Sequence, residues 1–398
     1  MNLVALDSIL TFHRGITFKP DDKVEVGTDD SVVCFRTKNI QKELDERDLL
    51  AVPSSFVKRD ELYVKQGDIL ISSANSWELV GKCVRVKTTR YKSTIGGFIS
   101  MLRPKADLID PDYLFRFLTM DKTQDSIRHL GKQTTNISNL DRVRFLQIQI
   151  PLPPLETQKQ IAAVLEKADQ LRKDCQQMEQ ELNSLAQSVF IEMFGDLRIK
   201  GRYTKKVFFS EIFNISSKLV DPKLEQYEDM PHIGPEHIEK ITGKILPYKT
   251  AKEDGLISGK FHFKQGCVLF SKIRPNLKKV AIPNFDGLCS ADMYPLEPIG
   301  GVSTKEFIWG LILSLTFDEY LQVLASRANI PKINRKELSL FDFYLPSFSD
   351  QKEYSNQLIQ IQQQIDINRE LMKEVSNNFN ALMQKAFNGE LNLDNAKT

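Results

Sequence analysis

The chain has 398 residues, a formal net charge of +2, and 41% hydrophobic and 27% charged residues, an ordinary balance for folded domains and enough length for two or more cores. No apolar run approaches the ~18 residues a membrane span needs, and the first ten residues carry Asp7 and no basic cluster, so neither a membrane anchor nor a secretory leader is expected. Cys34, Cys83, Cys175, Cys267 and Cys289 lie far apart with no histidine at metal spacing, which suggests free thiols, no bound metal and a reducing, cytoplasmic compartment.

Residues 1–150 read as a first α/β domain. Asp68–Ser72 and Cys83–Val86 are short apolar runs bounded by turn formers, as strands are, and Pro111–Thr119 has a helical pattern. From Leu79 to Ala106 there is no acid, while Lys82, Arg85, Lys87, Arg90, Lys92, Arg103 and Lys105 are all basic, which suits contact with phosphate. Two loops carry the groups that read base edges: Ser73, Asn75 and Trp77 in one, Lys132, Gln133, Thr134 and Asn136 in the other. Forked cations suit guanine and carboxamides suit adenine. The plainer reading is that the basic run is a solvated face and that these Ser and Asn residues make turns.

Residues 151–195 predict a long helix. Thr157 and Gln160 have capping-box spacing, and no Pro or Gly follows until Gly195. Ile161, Val164, Ala168, Leu171, Cys175, Met178, Leu182, Leu185 and Val189 alternate by three and four, which makes a coiled-coil seam.

Residues 196–346 repeat the grammar of the first domain. Val268–Ser271 and Val280–Pro283 read as strands and Lys305–Leu324 as a helix. Residues 255–285 again lack acids but hold Lys260, Lys264, Lys272, Arg274, Lys278 and Lys279. The candidate reading groups are Lys272, Arg274 and Asn276 in one loop, and Arg327, Asn329, Lys332, Asn334 and Arg335 in the other, with Lys278 and Lys279 beside them. Residues 347–391 predict a second helix, with Asp350 and Glu353 at capping-box spacing. Its seam is Leu358, Ile361, Ile365, Asn368, Met372, Val375, Phe379, Leu382 and Ala386, and residues 392–398 form a tail. Asn368 either fixes helix register from within the seam or faces solvent. Helices that pack on their own domains are the alternative to a coiled coil.

These parallels are an internal repeat. Val64–Ser72 matches Phe263–Ser271 through a shared Lys-Gln-Gly, and Leu152-Pro153 with Gln158-Lys159 matches Leu345-Pro346 with Gln351-Lys352. Asn39-Ile40 is echoed by His237-Ile238, and Phe194 and Gly195 by Phe387 and Gly389. Charge follows: residues 1–150 and 195–349 carry +3 and +4, and residues 151–194 and 350–398 carry −3 and −2. The expected architecture is α+β: two tandem α/β domains, each followed by a long helix, with the two helices of the duplicated unit pairing as a coiled coil.

No glycine fingerprint for a nucleotide, no Asn/Asp-Pro-Pro-aromatic run and no histidine triad occurs, so no catalytic residue is assigned. The run Ile150-Pro-Leu-Pro-Pro-Leu-Glu-Thr-Gln-Lys-Gln-Ile161, its echo at Leu345–Gln351, Ser271-Lys-Ile-Arg-Pro-Asn-Leu-Lys278, and Gly131 with Asn136-Ile137 resemble the specificity subunit of type I restriction-modification enzymes. The second proline element, Tyr344-Leu-Pro-Ser-Phe-Ser-Asp-Gln351, departs from that pattern in lacking the double proline. The resemblance implies a non-catalytic, cytoplasmic subunit for host defence that reads an asymmetric bipartite site in double-stranded DNA. It implies two modification subunits on the helices, which bring S-adenosylmethionine for adenine methylation, and restriction subunits in the full enzyme. It also implies that the two α/β domains are target recognition domains and that the helices pair as an antiparallel coiled coil about a pseudo-two-fold internal repeat, which would set the length of the unread spacer. The competing reading is a coiled-coil scaffold that joins proteins without reading DNA.

Overall fold

The structure is a computed structural model that describes residues 2–133, 138–215, 218–325, 332–391 and 393. It divides into two compact units: residues 1–174 with 372–398, and residues 175–371. Each unit therefore owns one α/β domain and half of each long helix.

In the first unit the strand Ile69–Ser72 lies inside an antiparallel sheet, between Ile99–Pro104 and Cys83–Arg85, with Leu10–Arg14 at the far edge. A run of consecutive apolar residues suits this place because both sheet faces are covered. Ile69 and Ile71 face a core with Leu114 and Leu118 of the helix Pro111–Thr119, while Leu70 faces a second core with Val33 and Phe35. The second core rests on a smaller sheet of Ala51–Pro53, Ser31–Phe35 and Ser93–Ile95.

The second unit is built alike. Val268–Ser271 lies between Met293–Pro298 and Val280–Ala281, and Phe213–Ile215 forms the far edge. Val268 and Phe270 face the helical side with Phe307 and Leu311, and Leu269 faces Ile233 and Phe261. The Lys-Gln-Gly turn needs its glycine in both units: Gly67 has φ 89° and Gly266 φ 91°, a region that a Cβ disfavours. The helix expected over Lys305–Leu324 is two helices, Lys305–Leu313 and Leu315–Ala325, bent by 58° at Ser314. The Ser314 hydroxyl donates to the Leu311 carbonyl at 2.7 Å, giving the chain a local alternative to continuing the helix.

The long helices span Leu155–Phe194 and Phe348–Asn388. Each starts two residues before the expected capping box, so Thr157 and Asp350 lie inside the first turn; Ser347 caps the second helix by accepting from the Asp350 amide at 3.1 Å. A buried glutamine fixes the start of each helix. Gln158 donates to the carbonyls of Leu108 and Pro153 at 3.1 and 2.9 Å and accepts from the Asp110 amide at 2.9 Å. Gln351 donates to Val302 and Pro346 at 3.1 and 3.0 Å and accepts from Thr304 at 3.2 Å. Every polar atom of both carboxamides has a partner, so a side chain normally found on surfaces becomes a pin between helix and domain.

The seam of the second helix is buried or half-buried at each expected position. The first helix requires a correction: Leu171, Met178 and Leu185 are 56%, 49% and 47% exposed. The inward row steps by four before three, through Leu165, Arg172, Glu179 and Ala186. In the first unit the Arg172 guanidinium lies 4.6 Å from the ring centroid of Phe379. In the second unit Glu179 accepts from Arg369 at 2.8 Å. Two charged residues in the inward row hid it from an apolar pattern search. Asn368 is 8% exposed and donates to the Cys175 carbonyl at 2.8 Å, so it sits inside the seam.

Candidate nucleic-acid interface

In the first unit the two candidate loops are neighbours. Ala74–Asn75 pairs with Ser138–Asn139, which pairs in turn with Lys132–Gln133. The Leu140 amide donates to the Ser73 carbonyl at 2.8 Å and closes the junction. Thr134 and Asn136 lie outside the described residues, and Lys132 and Gln133 are described as backbone alone. Trp77 is partly exposed, with the Arg128 guanidinium 5.7 Å from its ring and His129 edge-on at 6.0 Å. Arg128 and His129 were not expected here; only the folding of the helix Asp121–Leu130 onto this loop brings them in. Ser73 is half-buried. The Asn75 carboxamide is used locally, donating to the Ser72 hydroxyl at 3.2 Å and accepting from the Ser76 amide at 2.9 Å.

The second unit joins its two loops by the same device. Ile273 bridges to Lys332, and the Ile333 amide donates to the Lys272 carbonyl at 2.8 Å. Arg274, Asn276 and Lys332 are exposed at this junction. Asn334 instead caps the short helix Arg335–Ser339, accepting from the Glu337 amide at 2.9 Å, and the Arg335 guanidinium lies 5.9 Å from the Phe261 ring. Arg327 and Asn329 fall outside the described residues.

The acid-free windows are not free basic faces. Lys272 donates to the Ala291 carbonyl and pairs with Asp292 at 3.4 Å. Lys278 reaches the Leu313 carbonyl at 2.7 Å and Asp318 at 2.6 Å, and Lys279 reaches the Pro235 carbonyl at 2.6 Å. In the first unit Arg85 pairs with Asp112 at 2.6 Å, Lys82 donates to Gln41 at 2.8 Å, and Arg103 pairs with the buried Asp68 at 2.8 Å. Lys92 lies 4.1 Å from the Tyr63 ring centroid, and Arg90, largely exposed, is 3.8 Å from Glu46. The compensating groups come from elsewhere in the sequence, so a window without acids in the chain is not a surface without acids.

Backbone strain gathers at one place. Among the described residues, the non-glycine residues with positive φ are Ile241, Arg274 and Lys278, at 72°, 46° and 49°, and the Ile241 amide donates to the Lys278 carbonyl at 3.1 Å. Nothing in the sequence signals Ile241, a β-branched residue in a conformation such residues avoid.

The family model for the type I restriction modification DNA specificity domain matches the chain twice, over residues 1–184 and 203–377. The chain belongs to this family. Members of the specificity-domain family are the non-catalytic DNA-recognition subunits of type I restriction systems. The EcoDI specificity subunit of Escherichia coli is 38% identical over 188 residues, covering 46% of this chain and 41% of that protein. The chain thus spans less than half of that relative, whereas the alignment to the putative MjaX specificity subunit of Methanocaldococcus jannaschii, 24% identical, covers 82% of this chain and 78% of the relative. The fold resembles the S subunit from M. genitalium, with TM-score 0.58, 14% identity and coverage of 97% and 96% of the two chains. Among the described residues, no single helix is long and apolar enough to cross a membrane. The five cysteines are buried, and burial pushes the Cys34, Cys83 and Cys267 thiols up to about 12.

Proposed function

We propose that the chain recognises an asymmetric bipartite site in double-stranded DNA, one half-site per unit, as the specificity subunit of a cytoplasmic type I restriction-modification complex. The observation that carries this reading is the loop pair in each unit, joined by Leu140 to Ser73 in one and Ile333 to Lys272 in the other, in a chain matched twice by one DNA-specificity model. Phosphate contacts would set each unit on the duplex, and base-edge contacts would select the sequence.

On this reading the long helices form an antiparallel coiled coil about a pseudo-two-fold repeat. Its support is that early residues of one helix meet late residues of the other within each unit: Leu165 shares a core with Phe379 and Met383, and Leu182 packs beside Leu358 and Ile361. The rod spaces the two units along DNA. Two modification subunits, carrying S-adenosylmethionine, dock on the helices, and restriction subunits complete the assembly. The exposed heptad row Leu171, Met178 and Leu185 supports this docking, because apolar rows left to water commonly mark a partner surface. The chain itself needs no cofactor for this role.

A scaffold that never touches DNA is favoured by one observation, the internal pairing of so many cations in the basic windows. Salt separates the two readings. Affinity of the complex with its modification subunit for duplex DNA, measured by fluorescence anisotropy, should fall linearly with salt on logarithmic axes and should favour one sequence. Binding indifferent to both salt and sequence would leave the scaffold.

A further inference from the structure

We propose that Arg274 is the side chain with which the second unit grips a DNA phosphate, and that Lys272, Lys278 and Lys279 beside it are clamps that never touch DNA. The inference rests on the DNA-recognition reading above and assigns a residue within it. Residues 272–279 hold four cations, and the structure divides them three to one. The three lysine ammonium groups are spent on the Ala291, Leu313 and Pro235 carbonyls and on Asp292 and Asp318. Arg274 is exposed, with no ion pair or hydrogen bond from its guanidinium among the described residues. It stands where the two loops meet, next to Ile273 on its bridge to Lys332 and beside the exposed Asn276.

The backbone adds a second, independent reason. Arg274 has φ 46° and ψ 59°, a left-handed conformation that glycine adopts without strain and arginine does not. Such strain persists where the surroundings over-determine it and the side chain is needed. The surroundings here are explicit: the Leu277 amide donates to the Arg274 carbonyl at 2.9 Å, the Lys278 amide to Pro275 at 2.9 Å, and the Ile241 amide to Lys278 at 3.1 Å. With the lysine clamps, these contacts tie the turn to the bend between the two helices, at Leu313 and Asp318, and to the segments at Pro235, Ile241 and Ala291–Asp292. A guanidinium on a support fixed so firmly suits a sequence-independent contact that sets register. Asn75, which follows the bridged Ala74 in the first unit as Arg274 follows Ile273, is bonded inward, so this grip belongs to the second unit.

The test uses the full chain in complex with its modification subunit, bound to duplex DNA carrying the complex's own methylated motif and to an unrelated duplex. Arg274→Ala should weaken binding to both duplexes roughly ten-fold and reduce the logarithmic salt slope by about one, with the methylated motif unchanged. Arg274→Lys, which keeps the charge, should recover most of the affinity. Arg274→Gly should bind as poorly as the alanine variant while its thermal midpoint rises, because strain is relieved as the contact is lost. Lys278→Met should lower the thermal midpoint and leave the salt slope intact. Unchanged affinity and slope in Arg274→Ala would overturn the proposal, as would relaxation of a single base in the motif, which would make Arg274 a base reader. A wild-type complex without sequence preference would instead sink the recognition reading beneath it.

Discussion

Gln158 and Gln351 carry the clearest structural meaning of any single residues in the chain. Each is fully buried and makes three hydrogen bonds that tie the start of a long helix to the loop before a domain helix. Replacing either with leucine leaves an amide and two carbonyls without partners, at a cost of roughly 1–3 kcal/mol in the unit concerned. A lowered thermal midpoint of similar size in both variants is the expected result of calorimetry. The repeat of Leu-Pro and Gln-Lys was legible in the sequence, but the reason for the glutamine was not, because two of its three partners lie some 50 positions away. The same distance effect misled the reading of the basic windows. Asp112, Asp68, Asp292 and Asp318 neutralise cations that look unopposed along the chain. What remained legible was the pair of loops in each domain, through their turn residues and their matched order.

At the scale of elements, both long helices and the double-faced central strands could be read from periodicity and from unbroken apolar runs. The second seam was read in register. The first was not, since Arg172 and Glu179 occupy inward positions while Leu171, Met178 and Leu185 look apolar enough to replace them. The error has a useful consequence, because it singles out an apolar row that the lone chain does not cover. Changing Leu171, Met178 and Leu185 together to glutamate should leave stability within about 0.5 kcal/mol per site, as exposed substitutions usually do, and should abolish co-purification with the modification subunit. Retention of that complex would move the docking surface elsewhere. Asn368 is the converse case. Asn368→Leu should raise the thermal midpoint, because a buried polar group at a seam position trades stability for register; a fall would show that its bond to the Cys175 carbonyl stabilises the pair.

At the scale of the whole molecule, the proposed function makes the paired helices a ruler between two reading heads. Inserting one heptad at matched positions in both helices lengthens the rod by ~10 Å at ~1.5 Å per residue. That corresponds to roughly three base pairs at ~3.4 Å each, so the unread spacer should grow by about that much while both half-sites persist. The most direct test is to map methylated adenines across the genome of a host that expresses the chain with its modification subunit. The expected outcome is one motif made of two different defined elements at a single fixed separation. A single uninterrupted motif, or methylation without any sequence preference, would contradict the two-headed reading.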